Sequence, residues 1–501
     1  MPKKREEVYT GRRMRRTEKP PEAAGSVRGK SETAGTDSRG SGKKEKSRLR
    51  PEHMTDVRKA AKQVNRNPGQ ARGGVTAVEL ASLIRRKPDF PVVLIAVLTA
   101  VFETLGLMLA AAHTQQTVGM DSVAMIAVIV PLGLFTSLIL PRFLRMDALI
   151  MALTNFLCGV GIVTLCTVSP LRGNRQILSY ALSLGGMVIA CLAVTHLNRY
   201  HGVTIFLMIA GIGILVLPLI YGQWNNGAKN WVSMPLLGSF QPSELVKISA
   251  VFALAYYFSA HRTLIQMMPA LLFSGVCLLI LMLQRDLGTA LIYYLSTLTV
   301  FYVACGNIPL TMLGAVGGVG AAVMGYRMFA HVKVRVAMWR NPWSDPTGGG
   351  YQIIQALLAI SSGGLFGMGL GQGTPEKIPA YYNDFIFAVI CEQFGQIFGV
   401  LLLAVYALLL LRTVMLSSRS RHSLTMLLGY GTAAMLGIQT FMITAGVIKL
   451  VPLTGVTMPF LSYGGSSLLS CMTMIGIVHG IAGRAQMEAE DGILLKGGIR
   501  N

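Results

Sequence analysis

The sequence predicts an all-α polytopic membrane protein with about 12 transmembrane helices, and three observations lead to this prediction. Of the 501 residues, 52% are hydrophobic and only 14% are charged, whereas soluble domains carry about 25% charged residues. Long apolar runs recur along the chain, and a helix needs about 20 such residues to cross a bilayer. Irregular backbone is not tolerated against lipid, so these runs are expected to be helices.

The apolar runs fall into twelve candidate spans. The boundary between the seventh and the eighth, around QRDLG, is the least sharply marked. The candidates lie near residues 91–112, 120–140, 148–169, 177–196, 202–221, 243–260, 265–283, 287–304, 308–326, 384–411, 423–447 and 457–482.

The N-terminal segment, residues 1–88, is rich in Lys, Arg, Gly, Ser, Glu and Pro and is predicted to be a disordered basic tail. Residues 1–91 hold 24 Lys or Arg and 11 Asp or Glu, which is +13 of the formal net charge of +22. We expect the tail to be cytoplasmic and to lie against anionic lipid. No nucleic-acid partner is expected, although a basic tail is also compatible with one.

An even number of spans returns the C-terminus to the cytoplasm, where residues 485–501 are predicted to form a short tail. The same count places the long loop from about residue 327 to 383 on the outer side of the membrane, opposite the cytoplasm.

A rigid polar turn interrupts the apolar chain at NPWSDPTGGGYQIIQ, residues 341–355. Pro342 and Pro346 restrict the backbone around Asp345, and the three following glycines allow a bulky ligand to approach. Two interpretations of the carboxylate are open. It acts as a general base on the outer surface, or it caps the turn or the next helix, as Asp often does.

Five separate sequence blocks, in order, resemble the SEDS family of bacterial membrane proteins, which includes RodA, FtsW and SpoVE. The resemblance covers roughly residues 147–484, and residues such as those in GVIKLVPLTG are more similar to rod-type members. Arg285 departs from the family's usual proline, and Gln393 replaces a second carboxylate. The blocks are GAKNWVSMPLLGSFQPSELVKI, RDLGTAL, RVAMWRNPWSDPTGGGYQIIQ, NDFIFAVICEQFG and PLTGVTMPFLSYGGSS.

This resemblance implies a peptidoglycan glycosyltransferase that polymerises lipid II at the outer face of the bacterial cytoplasmic membrane. It also implies a class B penicillin-binding protein as partner, because the chain has no transpeptidase motif set of its own. Residues 147–484 would form the family core, and residues 89–146 would add two N-terminal spans to its usual ten. A flippase for lipid-linked cell-wall precursors is the alternative function, and a scaffolding role is compatible with the first.

The resemblance assigns catalysis to Asp345 and makes nearby residues candidates for substrate binding. Arginine suits the leaving diphosphate because its planar fork donates two hydrogen bonds. The helix beginning near Tyr351 would bring further polar groups to the turn. The substrate-binding candidates around the turn are Arg335, Arg340, Tyr351, Gln352 and Gln355.

Ionisable residues inside predicted spans add further substrate-binding candidates, because such groups usually face a cavity or a partner. Glu244 and Lys247 lie three residues apart on one helical face and are equally consistent with an intrahelical pair. Asp286 is expected either to line the cavity or to cap the helix that begins at Leu287. Asp384 and Glu392, eight residues apart, are predicted to lie nearly on one helical face as structural or cavity-lining groups.

No metal site is predicted from the sequence. The seven cysteines form no CxxC pair and lie in or beside apolar runs, so they are expected to be small buried hydrophobes. Cofactor use is left open: Mg²⁺ or Mn²⁺ would suit a diphosphate substrate, but no ligand cluster in the sequence indicates either.

Overall fold

The structure is a computed structural model, and it describes residues 89–113, 120–197, 200–225, 228–234, 238–260 and 263–498. The predicted basic tail, residues 1–88, lies outside these described residues.

The described chain is almost entirely helical. The long helices are joined by short turns, except where a small sheet and a group of shorter helices intervene. The helices are α1 Phe90–His113, α2 Met120–Leu134, α3 Leu140–Phe143, α4 Ala148–Val168, α5 Pro170–His196, α6 Tyr200–Tyr221, α7 Pro242–Ala260, α8 Leu264–Leu283, α9 Leu287–Cys305, α10 Ile308–Met328, α11 Ala330–Arg340, α12 Tyr351–Gly363, α13 Ile386–Phe394, α14 Gln396–Ser417, α15 Ser423–Val447 and α16 Gly465–Gly498.

Eleven helices in the described chain are long and apolar enough to cross a membrane, with α2 and α3 contributing to a single span. A further 19-residue helix, α7, carries Glu244 and Lys247 and packs among them. The N-terminal end of α7 meets α16, where the Gln241 amide donates to Ser466 Oγ at 3.3 Å. At its other end, the ring of Tyr256 packs on His201 at the start of α6. The predicted all-helical polytopic fold is therefore confirmed.

Contacts between the helix ends define two opposite faces of the bundle. We call the face where the described chain begins, at Asp89, the proximal face; there Arg412 Nη2 lies 2.7 Å from Asp147 Oδ2. On the opposite, distal face, Arg172 Nη1 donates to Tyr381 Oη at 2.6 Å. The long connection between α10 and α14 lies on the distal face, which agrees with the predicted alternation of the spans.

Two details of the connections differ from the sequence predictions. The predicted span 384–411 is wrong in its bounds, because the chain breaks at Gly395, with φ 90°, between α13 and α14. The connection after α6 also forms a small antiparallel sheet in the order β1-β2-β3, whereas the predicted fold class contained only helices. Its strands are β1 Gln223–Asn225, β2 Ala228–Met234 and β3 Gly238–Phe240.

The glycine series SSGGLFGMGLGQG, residues 361–373, forms close backbone turns. Five of its six glycines have a positive φ, which residues with a Cβ rarely adopt. The glycines with positive φ are Gly364, Gly367, Gly369, Gly371 and Gly373.

The two N-terminal helices pack on the family-like core through a polar contact inside the bundle. Helix α2 passes into α3 through a π-helical turn, Phe135–Ile139, and such turns bring extra side chains to one helix face. Asn155 Nδ2, from α4, donates to Thr136 Oγ1 at 2.8 Å and to Ser137 Oγ at 2.7 Å. Tyr180 in turn donates to Asn155 Oδ1. Such interhelical hydrogen bonds help to hold helices together where lipid offers no hydrophobic driving force.

Helices α5 and α16 pack so closely that a side chain would not fit between them at Gly476. A Cβ at this position would lie 2.2 Å from Met187 O. We expect Gly476→Ala to destabilise the protein by about 1–3 kcal/mol, because backbone cannot move aside as a flexible side chain can. Thermal unfolding of the purified protein in detergent measures this effect.

Gly213→Ala on α6 is the matched control, since nothing lies within 4 Å of a Cβ there. Alanine should leave stability unchanged or raise it at that position, because it favours the helix over glycine. Equal loss of stability in both variants would contradict the close packing of α5 and α16.

Candidate functional site

The turn that carries Asp345 is fixed by backbone hydrogen bonds to its carboxylate. Asp345 Oδ1 accepts from the Gly348 amide at 3.1 Å, and Oδ2 accepts from the Gly349 amide at 2.7 Å. The Asp345 carbonyl accepts from Gly350, which is buried against Pro342. The capping interpretation of Asp345 is therefore seen directly in the geometry.

The same carboxylate is exposed to the distal side. Each carboxylate oxygen has two acceptor sites, and the turn uses one site on each. Among the described residues, Asp345 forms no ion pair, so no cationic side chain there occupies its remaining acceptor sites. Capping and proton acceptance from an incoming ligand are thus compatible at this residue.

Arg335, on α11, is held against the distal loop that precedes α16. Its Nη1 donates to Thr454 O at 3.0 Å and to Leu453 O at 3.4 Å. One turn further along α11, Trp339 Nε1 donates to Lys449 O at 3.1 Å. These contacts orient the Arg335 guanidinium while leaving its other edge towards Asp384 and Gly455.

Asp286 combines the two roles that the sequence left open. Its Oδ1 caps α9 by accepting from the Thr289 amide at 3.2 Å. Its Oδ2 accepts from Asn230 Nδ2, on β2, at 2.8 Å and from Gln241 Nε2 at 3.0 Å. Asp286 therefore ties the small sheet and the start of α7 to the start of α9, beneath the distal surface.

Asp384 and Arg335 both lie beside Gly455. A Cβ added to this glycine would be 3.5 Å from Asp384 Oδ2 and 3.6 Å from Arg335 Nη2. Burial raises the pKa of Asp384 to about 7, while Arg335 lowers it and Asp286 raises it. We call Asn230, Gln241, Asp286, Arg335 and Asp384 the distal polar cluster.

His331 and Arg285 border the distal polar cluster. Burial, Arg335 and Arg285 together lower the pKa of His331, so its imidazole is neutral and able to donate a single N–H. His331 Nε2 is buried without a hydrogen-bond partner in the described chain. Arg285 adopts φ 61°, a conformation closed to the proline that the family usually has there.

Glu244 and Lys247 are buried in the first two turns of α7, which follow Gln241 of the distal polar cluster. Lys247 Nζ is 2.7 Å from Glu244 Oε2 and 2.6 Å from Gln439 Oε1, and only 1% of Lys247 is exposed. The intrahelical pair weighed from the sequence is present, and α15 completes it through Gln439.

The remaining substrate-binding candidates lie on either side of the Asp345 turn. Arg340 ends α11 and is exposed, whereas the three polar residues of α12 are half-buried. Those three side chains form no hydrogen bond within the described structure, which leaves them available to a ligand. The three are Tyr351, Gln352 and Gln355.

The prediction that Asp384 and Glu392 share a helix is wrong. Helix α13 begins at Ile386, so Asp384 lies in the preceding turn and only Glu392 is helical. Glu392 Oε1 accepts from the Thr374 amide at 3.0 Å, and Oε2 is buried without a partner in the described chain. Burial raises the pKa of Glu392, while that amide and Lys377 lower it.

Sequence reasoning did not assign Asn230, Gln241 or Arg285 to the site. Asn230 and Gln241 belong to segments far apart in the chain from Asp286, and only the fold brings them together. Arg285 did carry a signal, because it replaces the family's usual proline immediately before Asp286. No group of three or more metal-ligating side chains occurs in the described residues.

The fold and the distal polar cluster define a polytopic membrane protein with a charged site at one membrane surface. The chain belongs to the FtsW/RodA/SpoVE family of cell cycle proteins, whose family model matches residues 148–487. The resemblance to SEDS proteins found in the sequence is thereby confirmed.

The chain is similar in sequence to two relatives with curated names. It is 32% identical over 369 residues to "Peptidoglycan glycosyltransferase RodA" of Mycobacterium tuberculosis, covering 67% of this chain and 78% of that protein. It is 36% identical over 288 residues to "Stage V sporulation protein E" of Bacillus subtilis, covering 55% of this chain and 78% of that protein.

Solved structures show the same fold. A chain from the structure titled "Structural coordination of polymerization and crosslinking by a peptidoglycan synthase complex" aligns with a TM-score of 0.56 and 25% identity, covering 67% of this chain and 97% of that one. The rod shape determining protein RodA of Thermus thermophilus aligns with a TM-score of 0.50 and 27% identity, covering 68% and 98% of the two chains.

The raised pKa of Asp384 gives a prediction for stability against pH. Burial raises the pKa of Asp384 to about 7 from its ordinary value of 3.8, so between these pH values the native state holds a proton that the unfolded state has released. Stability contributed by this group therefore falls as pH rises towards 7 and stays lower above it. Asp384→Asn should raise the unfolding temperature relative to wild type more at pH 8 than at pH 5.

Thermal unfolding of both proteins in detergent at the two pH values measures this difference. Glu376→Gln is the control, since Glu376 is exposed and its replacement should shift the two curves equally. A pH-independent effect of Asp384→Asn would show that burial of its carboxyl does not control its ionisation.

Proposed function

We propose that this protein is a peptidoglycan glycosyltransferase that polymerises lipid II, with its distal face on the outer side of the cytoplasmic membrane. The observation that carries the proposal is the exposed carboxylate of Asp345, held on a rigid turn that directly follows the helix bearing Arg335. Family membership and the printed activity of the mycobacterial relative support it.

In the proposed reaction, a sugar hydroxyl of one substrate attacks the anomeric carbon of another. Asp345 accepts the hydroxyl proton as the new C–O bond forms, and the bond from the anomeric carbon to the lipid diphosphate breaks. A hydroxyl is a weak nucleophile, so a positioned base contributes typically 10²–10⁴-fold. Attack from the face opposite the leaving group inverts the anomeric configuration.

The leaving diphosphate carries the negative charge that develops in this step. Arg335 is the principal candidate to stabilise it, because its guanidinium is already oriented by two loop carbonyls. Arg285 adds a second positive charge, and neutral His331 is able to donate an additional hydrogen bond. The carboxylates of Asp286 and Asp384 partly offset the positive charge of Arg285 and Arg335. This weaker net attraction favours release of the diphosphate product.

The other assigned residues have supporting roles in this proposal. Tyr351, Gln352 and Gln355 are close to the turn in sequence and have unused polar groups that suit sugar hydroxyls. Glu244 and Lys247 act through the core packing of α7, because both are buried away from the surface. A Mg²⁺ or Mn²⁺ ion on the substrate diphosphate is compatible with the carboxylates of the cluster.

We also propose a class B penicillin-binding protein as partner. The similar chain in the solved peptidoglycan synthase complex comes from an assembly whose title joins polymerisation to crosslinking. A glycan polymerase without a transpeptidase motif needs such a partner for crosslinking.

Replacing Asp345 by Asn tests the catalytic assignment. Asparagine keeps the size of the side chain and one acceptor oxygen for the turn, but it cannot take up the hydroxyl proton. Polymerisation of lipid II by purified, monodisperse protein should fall by about 10²-fold or more, while lipid II binding and the unfolding temperature stay close to wild type. Glycan yield, lipid II binding and thermal unfolding are measured in parallel.

Arg335→Ala is the contrasting variant, and it should weaken both lipid II binding and turnover. Near-normal polymerisation by Asp345→Asn would remove Asp345 from the mechanism and make Asp286 or Asp384 the next candidate base. Transport of lipid II across vesicles without any polymer would favour the flippase alternative instead.

The proposed orientation has its own test. A cysteine at Thr347, in the exposed turn on the distal face, should react with a membrane-impermeant thiol reagent added to intact cells. A cysteine at Ser418, in the proximal loop after α14, should react only after the membrane is opened. The native cysteines are buried or half-buried in the described structure, so background labelling should be low. The reverse pattern would place Asp345 in the cytoplasm and contradict the proposed reaction.

A further inference from the structure

A cavity of about 320 Å³ opens on the proximal face, opposite the distal polar cluster. It lies where the two N-terminal helices meet the family core: its walls come from the start of α1, from α3 with the turn after it, from the start of α4, and from the proximal ends of α14 and α16. The residues that line it are Asp89, Pro91, Val92, Leu138, Pro141, Arg142, Arg145, Met146, Asp147, Ala148, Leu149, Arg412 and Gln486.

Three arginines and two aspartates line the cavity, so its formal charge is positive. One of the arginines is already neutralised, because Asp147 Oδ2 accepts from Arg412 Nη2 at 2.7 Å and from Arg412 Nε at 3.2 Å. The other oxygen of Asp147 caps α4 through the Ile150 amide at 3.0 Å. The Asp147 carboxylate is therefore committed to Arg412 and to its own helix.

Arg142 has no such partner in the part of the chain that the structure describes. It forms no ion pair there, and its Nε is buried without a hydrogen-bond acceptor. An uncompensated guanidinium at the edge of a bilayer is costly unless an anion or water satisfies it. Together with Arg145 on the same wall, it gives the cavity a pair of guanidinium groups suited to a phosphate.

The rest of the lining distinguishes between a soluble anion and a lipid. Seven of the thirteen lining residues in the described part of the chain are apolar, an unfavourable environment for a small hydrated ion. Leu94 on α1, one turn further into the membrane than the start of that helix, is 45% exposed, and Phe143 at the proximal end of α3 is 54% exposed. An apolar surface therefore adjoins the cavity. Such a site suits an amphiphile with a charged head and hydrocarbon chains.

We propose that this cavity binds the phosphate headgroup of an anionic phospholipid from the proximal leaflet. Arg142 and Arg145 hold the phosphate oxygens, and the acyl chains lie along the exposed apolar side chains of α1 and α3. Basic pockets between transmembrane helices bind anionic headgroups in this way. Because Arg142 lies in α3 and Arg145 in the turn after it, while Asp147 and Arg412 belong to the core, the bound lipid joins the two N-terminal helices to the core.

The binding of short-chain phosphatidylglycerol to the purified full chain in a neutral detergent tests the proposal, with phosphatidylcholine of the same chain length as comparison. Native mass spectrometry counts the lipids bound at each concentration. Wild-type protein should retain one phosphatidylglycerol in preference to phosphatidylcholine. The double variant Arg142→Gln with Arg145→Gln should weaken phosphatidylglycerol binding by about tenfold or more, and the single Arg142→Gln by a smaller factor.

The matched control is Arg419→Gln with Arg421→Gln, which removes two exposed positive charges from the same face but outside the cavity. This control should bind phosphatidylglycerol as wild type does. If the control variant bound phosphatidylglycerol as weakly as the Arg142/Arg145 variant, the effect would come from general surface charge, and the proposal would be overturned.

Two measurements on wild-type protein need no variant, so they remain decisive even if the double variant does not fold. Equal retention of phosphatidylglycerol and phosphatidylcholine would overturn the proposal. Displacement of bound phosphatidylglycerol by inorganic phosphate or glycerol phosphate, at concentrations similar to that of the lipid, would also overturn it and indicate a site for soluble anions.

Discussion

The buried ammonium group of Lys247 is the constraint on which the rest of the bundle depends. A charge inside a membrane bundle must be paired and fully hydrogen-bonded, because water is not available to solvate it. Glu244 and Gln439 meet this need from α7 and α15. Gln439 Nε2 then donates to Thr457 O at 2.7 Å, which ties the loop before α16 to the bundle centre.

This network extends to the distal surface. The loop fixed through Thr457 also presents the carbonyls of Leu453 and Thr454 to Arg335. Helix α16 is joined to the same network, since Ser470 Oγ donates to the Glu244 carbonyl at 2.7 Å. A buried charge pair is therefore linked through this loop to the carbonyls that hold the Arg335 guanidinium, which gives Glu244 and Lys247 an effect on the site without contact with substrate.

The bundle has different chemistry at its two faces. The distal face gathers carboxylates and arginines from three separate segments around Asp286 and Asp384, an arrangement suited to a charged substrate that binds and leaves. The proximal face encloses Arg142 and Arg145 between the N-terminal helices and the core, where a long-lived ligand is expected. In our two proposals, catalysis lies at the distal face, and the lipid that joins the two extra helices to the core lies at the proximal face.

The sequence by itself determined the helical class, the alternation of the spans and the turn around Asp345, because each follows from local composition: apolar length, charge segregation, and prolines and glycines close together. It also carried the family resemblance, since short motifs persist in order. Only the tertiary structure decided the break at Gly395, the pairing of Asp286 with Asn230 and Gln241, and the raised pKa of Asp384. These features depend on contacts between segments that are distant in the chain, and no local pattern specifies such contacts.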